Sequence, residues 1–233
     1  IHDGEYAKLH GHKGISSASE YEEVIRDINL SEKTGCQFHA CHVSTKESVA
    51  AIRQAKAKGL KVSGETGPHY LAFTDMDLQE SGSWKMNPPI RSEEDRQALI
   101  KAVRDGTIEC IITDHAPHSR EEKSKGLAGS SMGVVGLETS FAAVNTYMVE
   151  KGYISFEKLV EVMSINPRKI FGLESEIQIG KPADITIVDP KAKWVVNPEE
   201  FISMGKATPF AGKTLTGKVI ATIYNGDFAY SEL

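Results

Sequence analysis

Amphipathic helical stretches alternate with short apolar runs over residues 19–106. Apolar positions that recur every three to four residues predict three helices, each beginning at a serine and ending at a glycine, over residues 19–35, 44–59 and 92–106. In the first two, a glutamate three residues after the serine completes a capping box. Residues 36–43, 61–66 and 109–114 are predicted to be strands, and the last is a continuous apolar strand, as expected for a strand buried on both faces.

This order of elements predicts an α/β fold with a parallel sheet and right-handed crossovers. Only about three strands precede the end of the pattern, and three parallel strands leave two open edges. Two architectures therefore remain, an open doubly wound sheet or a piece of a (β/α)8 barrel.

The pattern changes at residue 176. Short β-runs separated by glycine, proline and asparagine turns follow, as in "IQIGKPADITIVDP" and "TGKVIATIYNGDFAYSE". We therefore predict two parts, an α/β part over residues 1–175 and a small antiparallel β-unit over residues 176–233.

Composition narrows the class of protein. The 233 residues carry a net charge of −5, which argues against an extended nucleic-acid surface. No apolar run reaches the roughly 18 residues of a membrane span, so no membrane partner is expected. The three cysteines, Cys36, Cys41 and Cys110, lie in strand-like segments and are predicted to be reduced core residues of a cytoplasmic protein.

Candidate chemistry lies at the ends of the predicted parallel strands. His42 lies at the C-terminal end of one strand, and Asp114 in "TDHAPH" lies at the C-terminal end of another. Active sites of α/β sheets and barrels gather at this end, and an imidazole with a carboxylate suits Zn²⁺. The alternative is that His42 is a hydrogen-bonded structural residue, which is the commoner role of a single histidine. Three further histidines are predicted to be structural: His39, His69 and His115.

Two loops add polar features. "WKMNPPIR" places Asn87 ahead of two prolines, where its amide could bind a ligand or where Asn-Pro-Pro could form only a turn. The second loop, 125–136, is rich in small residues and is predicted to be mobile.

Seven segments resemble the amidohydrolase superfamily, and within it the dihydroorotases of the bacterial class I type. In chain order they are "CHVSTKESV", "KVSGETGPHYL", "KMNPPIR", "DGTIECIITDHAPH", "GVVGLET", "NPRKIFGL" and "GKPADITIVD". The resemblance implies strands six to eight of a (β/α)8 barrel with their helices, and a small C-terminal β-sandwich unit. It also implies zinc-dependent, reversible cyclisation of N-carbamoyl-L-aspartate to L-dihydroorotate in pyrimidine biosynthesis.

The resemblance also implies residue roles. His42 matches the zinc-ligating histidine on strand six, and Asp114 matches the strand-eight aspartate that ligates zinc and shuttles the proton. The positions that match substrate contacts are Asn87, His118, Met132 and Gly133, the last two through their backbone.

The family's other ligands are a His-x-His pair, a bridging aspartate or carboxylated lysine, and a further histidine. They have no counterpart in this chain, so we expect one or two zinc ions whose remaining ligands lie upstream of Ile1, and a fragment that is inactive alone. The expected partners are the small-molecule substrate and either a second copy of the chain or aspartate carbamoyltransferase. Two other functions stay open: another cyclic amidohydrolase, such as an allantoinase or hydantoinase, and a non-catalytic subunit that supports aspartate carbamoyltransferase.

Overall fold

A computed structural model describes residues 1–173 and 176–233 of the chain. The first part contains three parallel strands, β1 (Phe38–Ala40), β2 (Val62–Thr66) and β3 (Cys110–Ile111). The helices before and between them are α1 (Glu5–His10), α2 (Ala18–Thr34), α3 (Lys46–Ala57), α4 (Pro68–Ala72) and α5 (Glu93–Asp105). After β3 come the short helices α6 (Arg120–Lys123), α7 (Gly126–Gly129), α8 (Ser140–Val144), α9 (Phe156–Val160) and α10 (Asn166–Ile170).

The predicted helix ends are more accurate than the predicted starts. Gly35 and Gly106 follow α2 and α5 with positive φ angles of 73° and 79°, a backbone conformation that glycine adopts without a steric penalty. Ser92 is the N-cap of α5, as predicted, and it forms a capping box with Asp95. The predicted capping box that starts at Ser19 is wrong, because α2 already begins at Ala18.

The start of α3 differs by one residue. Thr45, and not Ser44, is the N-cap, and its hydroxyl accepts a hydrogen bond from the amide of Ser48. Ser44 instead meets Glu20, whose carboxylate accepts hydrogen bonds from the amides of both Ser44 and Thr45 at 3.0 and 2.9 Å. A side chain of α2 therefore satisfies free amides at the start of α3.

The parallel sheet has the order β1-β2-β3, and its two faces differ in polarity. Ala40, Val62 and Ile111 belong to one apolar cluster with the buried residues of α3 and α5, such as Ile52 and Leu99. Burial of such a side chain stabilises the fold by about 1.5–3 kcal/mol. The opposite face is polar: the ring of His39 pairs with Ser63 Oγ at 2.7 Å and with Glu65 Oε2 at 3.0 Å.

The C-terminal part forms a second sheet. Its strands β4 (Ile185–Val195), β5 (Thr214–Tyr224) and β6 (Asp227–Ser231) are antiparallel and follow the order β4-β5-β6, as the short β-runs predicted. This is one sheet, so the part of the chain that the structure describes does not show the two layers of the expected β-sandwich. Phe201, Phe210 and Leu215 share an apolar cluster with Phe73 and Trp84, so this part packs on the first.

Two of the three cysteines differ from the prediction. Cys110 is buried in β3, but Cys36 and Cys41 are exposed. The reason is the length of β1, which covers only Phe38–Ala40 and leaves both of these cysteines outside the strand.

Among the described residues, no helix is both long enough and apolar enough to cross a membrane.

Candidate metal and substrate site

His42 and Asp114 both lie just beyond the carboxyl ends of parallel strands, as predicted. Each has a positive φ angle, 38° for His42 and 47° for Asp114, so the backbone turns sharply where the strand stops. The sheet ladder continues up to these turns, because Val43 donates to Glu65 O and Ile112 donates to Thr66 O. The two side chains are close enough to affect each other: burial raises the pKa of Asp114, the charge of His42 opposes this rise, and Glu65 adds to it.

His69 also lies at this end of the sheet, on α4 directly after β2. It is buried, and its Nε2 atom lies 3.7 Å from Asp114 Oδ2 and has no hydrogen-bond partner. Burial, and then the charge of His42, lower the pKa of His69 to about 3, so the ring is neutral near pH 7. His69 was predicted to be structural, and its place after a strand end is one that His42 and Asp114 share.

The chain backbone leaves room for this histidine ring. A Cβ atom on Gly67 would lie 2.8 Å from His69 Cε1 and 3.1 Å from its Nε2, closer than real Cβ contacts. Tyr70 packs against the same ring with a centroid distance of 4.1 Å, and its hydroxyl donates to Pro88 O at 2.8 Å. The glycine therefore leaves space for the ring beside Asp114, and Tyr70 connects the ring to the loop that carries Asn87.

The donors at this end of the sheet suit zinc in type, since imidazole nitrogen and carboxylate oxygen are its usual ligands with cysteine. The Nε2 atom of His69 is buried, has no hydrogen-bond partner and lies 3.7 Å from the carboxylate of Asp114. Within residues 1–173 and 176–233, however, no three such side chains are arranged as a group that could hold a metal ion. The donor chemistry fits the expected cofactor, and a closed ligand set would need further groups.

The other two histidines that were predicted to be structural have protein partners. His39 pairs with Ser63 and Glu65 on the polar face of the sheet. His115 Nδ1 accepts hydrogen bonds from the amides of Gly136 and Leu137 at 3.1 and 3.4 Å.

The predicted substrate residues lie on three segments that contact one another. Asn87 is exposed between buried neighbours and precedes a cis peptide bond to Pro88. His118 Nε2 contacts the carbonyl of Met132 at 2.8 Å. The amide of Gly133 donates to Lys85 O at 3.0 Å, so this predicted substrate donor already has a protein acceptor.

The loop that was predicted to be mobile is densely packed. It contains the short helix α7, Leu127 is 1% exposed, and Ser130 is buried. A Cβ atom on Gly82 would overlap the backbone of Lys123 and the hydroxyl of Ser130. This packing counts against the predicted mobility.

The chain belongs to the amidohydrolase family, which it matches over residues 2–229. Dihydroorotases of Bacillus caldolyticus and Enterococcus faecalis are 43% and 45% identical to it over 234 residues, or 100% of the chain. A dihydroorotase of Fusobacterium nucleatum is 45% identical over 232 residues, or 99% of the chain. The chain spans 55% of the length of each of these relatives.

Solved structures of hydantoinases and dihydropyrimidinases are similar to this chain in fold. The L-hydantoinase (dihydropyrimidinase) from Arthrobacter aurescens is 34% identical, with a TM-score of 0.84 over 91% of this chain and 49% of that one. Dihydropyrimidinase from Brevibacillus agri is 26% identical, with a TM-score of 0.83 over 91% of this chain and 48% of that one. The α/β fold is therefore shared with enzymes whose names refer to cyclic amide substrates.

Proposed function

We propose that the chain supplies strands six to eight of a (β/α)8 barrel, as β1, β2 and β3, together with a β-sandwich unit. The similarity to dihydroorotases runs through the whole chain, and the sheet order matches three consecutive barrel strands. We keep the division into residues 1–175 and 176–233 as part of this proposal. The apolar cluster shared by Phe73 and Phe210 means that the two parts would fold together.

The reaction we propose is zinc-dependent hydrolysis of L-dihydroorotate to N-carbamoyl-L-aspartate and its reversal by cyclisation. One observation carries it, namely that His42, His69 and Asp114 meet at the carboxyl end of a parallel sheet in a chain whose relatives are named dihydroorotases. This end of the sheet is where barrel enzymes place their catalytic groups.

In this mechanism His42 and Asp114 would hold zinc, with ligands from outside the described residues. Bound zinc would polarise the ring amide and favour a water nucleophile. Asp114 would accept a proton from the attacking water on a carboxylate oxygen and transfer it to the departing ring nitrogen. His69, buried and neutral, would exclude water from one side of Asp114 and limit the orientations of its carboxylate.

Asn87 and His118 would hold the substrate, with the backbone of Met132 and Gly133 behind His118. An amide offers both a donor and an acceptor, and the substrate carries amides and a carboxylate that need both. Because Gly133 N now donates to Lys85 O, substrate binding through this amide would require that hydrogen bond to be exchanged.

A chimera tests the activity. This chain would replace the matching 55% of the Enterococcus faecalis relative, whose remaining part would supply the other strands. We expect hydrolysis of dihydroorotate in preference to hydantoin and allantoin, and loss of turnover in Asp114→Asn. An active Asp114→Asn chimera would contradict the proposal.

Substrate holding has its own test in the same chimera. Truncation of Asn87 or His118 to alanine should weaken transition-state binding by roughly 2–4 kcal/mol, as for a lost charge-assisted hydrogen bond in a dry site. Zinc content, measured by atomic emission, should stay unchanged. Wild-type kcat/KM in both variants would remove these two residues from the site.

Zinc binding by the 233-residue chain alone is expected to be weak. Catalytic zinc sites use about three protein ligands and water, and His42 with Asp114 provides two. A Co²⁺ titration should therefore show low affinity that falls further in His42→Ala. Stoichiometric zinc that survives dialysis, or dihydroorotate turnover by the chain alone, would show that other residues of this chain complete the site.

Two other functions are the alternatives to this proposal. The likeness to an L-hydantoinase favours another cyclic amidohydrolase, which the substrate comparison in the chimera would reveal. A non-catalytic subunit that supports aspartate carbamoyltransferase is the second. It would form a stable complex with that enzyme in size-exclusion chromatography, and Asp114→Asn would leave the complex intact.

A further inference from the structure

The ammonium group of Lys123 lies among three backbone carbonyls. Its Nζ donates to Ser131 O at 2.8 Å, to Gly133 O at 2.7 Å and to Lys85 O at 3.0 Å. A lysine ammonium has three N–H donors and no acceptor, so these contacts match its full donor capacity. The side chain thus joins two segments that are far apart in sequence.

These two segments contain the residues proposed to bind substrate. Asn87 lies two residues after Lys85, and Met132 lies between the two carbonyls on the other segment. We call the first segment the Asn87 loop, residues 85–91, and the second the Met132 loop, residues 130–135. Lys123 belongs to neither loop, since it closes the short helix α6 that follows His118.

Two further hydrogen bonds connect these regions. The amide of Gly133 donates to Lys85 O at 3.0 Å, so this carbonyl accepts from both the Met132 loop and Lys123. The ammonium of Lys85 in turn donates to Ala128 O, in the helix α7 just before the Met132 loop. Lys85 therefore both accepts a hydrogen bond from the Met132 loop and donates one to the helix that precedes this loop.

Lys123 is itself held in place. Its backbone carbonyl packs so closely on Gly82 that any Cβ atom there would overlap it. The amide of Lys123 donates to Ser119 O at 3.1 Å, and the side chain is half-buried. A fixed backbone and a partly desolvated ammonium strengthen the contact, since hydrogen bonds to charged groups are stronger where water is excluded.

We propose that Lys123 is a positioning residue, whose ammonium holds the Asn87 loop and the Met132 loop in the one arrangement that the substrate meets. The substrate part of this statement rests on the proposed function. In this role Lys123 acts through the carbonyls of Lys85, Ser131 and Gly133.

Hydrogen–deuterium exchange on the 233-residue chain tests the arrangement without metal or turnover. In Lys123→Met, amide exchange in residues 131–135 should become about ten- to a hundredfold faster, as expected for the loss of one or two charge-assisted hydrogen bonds. Exchange in α3 and β2 should not change. Lys125→Met is the matched control, because Lys125 is exposed two residues away.

A second variant separates positioning from simple packing. Lys123→Arg keeps a cation with several N–H donors and should restore at least part of the protection, whereas Lys123→Gln should not. If Lys123→Met fails to fold, Lys123→Gln against Lys123→Arg decides the question. Equal protection in Lys123→Met and Lys125→Met, or in the glutamine and arginine variants, would overturn the proposal.

The chimera tests the link to substrate. Lys123→Met should raise KM for dihydroorotate about tenfold or more with kcat and zinc content much less affected, because a loosened loop weakens substrate binding first. Unchanged KM with faster exchange would overturn the substrate part. If the unaltered chimera is inactive, the proposed function fails instead, and the exchange experiment still decides the role of Lys123.

Discussion

The close approach of Gly133 to the "TDHAPH" loop leads to a quantitative prediction. Gly133 has a φ angle of 138°, which side chains of L-residues rarely adopt. A Cβ atom built on it would lie 2.6 Å from Ala116 O, 2.8 Å from Ala116 Cβ and 3.0 Å from His118 Nε2. Normal carbon contacts are about 3.5–4.0 Å, so Gly133→Ala must displace this loop or the Met132 loop.

The expected cost has two parts. An unfavourable positive φ angle costs about 1–2 kcal/mol, and forced overpacking costs a further 1–3 kcal/mol. Gly152→Ala is the matched control, because Gly152 has a φ angle of 71° but nothing within 4 Å of its virtual Cβ. It should therefore lose about 1–2 kcal/mol through the backbone alone.

Urea unfolding followed by far-UV circular dichroism measures both variants. Gly133→Ala should be less stable than the wild type by roughly 2–5 kcal/mol and should exceed Gly152→Ala by at least about 1 kcal/mol. Equal losses of unfolding free energy in the two variants would mean that Ala116 moves away from the new Cβ atom without a free-energy cost. The geometric argument for a tightly held loop at His118 would then be wrong.

Two further predictions concern buried groups. Glu20→Ala should destabilise the chain by about 3–5 kcal/mol in urea unfolding. The reason is that Arg91, which is 3% exposed, would lose the carboxylate that lies 3.8 Å from its guanidinium. Glu20→Gln should destabilise the chain less. A surface-like loss below about 0.5 kcal/mol would contradict this buried network. Cys36 and Cys41 should react with a maleimide in the folded chain. Cys110 should react only after unfolding, because burial, and then the charges of Glu109 and Glu65, raise its pKa to about 12. Since this pKa lies far above the usual value, raising the pH from 7 to 9 should leave Cys110 protonated and unlabelled, and rapid labelling at pH 9 would refute its burial.

Strand ends were the most predictable part of the site. A buried strand needs an apolar run, and the polar residues that follow the run mark where the strand meets the loop, which places both His42 and Asp114 near strand ends. The end of a helix is similarly local, because a glycine with positive φ stops it, as at Gly35 and Gly106.

The start of a helix depends on a partner that local sequence does not reveal. The position of Glu20 in the sequence pattern of α2 is that of an exposed residue. Its carboxylate nevertheless accepts hydrogen bonds from the amides of Ser44 and Thr45, and Thr45 takes the N-cap position in place of Ser44. A tertiary contact has replaced the local capping box there. The exposed Cys41 has a related cause, since β1 pairs with β2 over only three residues.

His69 and Lys123 show why the other residues proposed for the site could not be predicted from the sequence. Neither belongs to a spacing pattern, and each becomes relevant through groups that the fold brings to it. For His69 the group is the carboxylate of Asp114, 45 positions later in the chain, and the absence of a Cβ on Gly67 lets the ring approach. For Lys123 the groups are backbone carbonyls on two loops. Every residue has a backbone carbonyl, so the sequence does not indicate which ones Lys123 will contact.

These two residues also define how the site divides its tasks. The sheet end sets the relative position of His42, His69 and Asp114, where bond making and proton transfer would occur. The loops held by Lys123 set the position of Asn87 and Met132, where the substrate would be recognised. Tyr70 connects the two regions, because its ring packs on His69 and its hydroxyl donates to Pro88 O beside Asn87. The Asn87 loop and the carboxylate of Asp114 are therefore linked through two buried side chains, Tyr70 and His69.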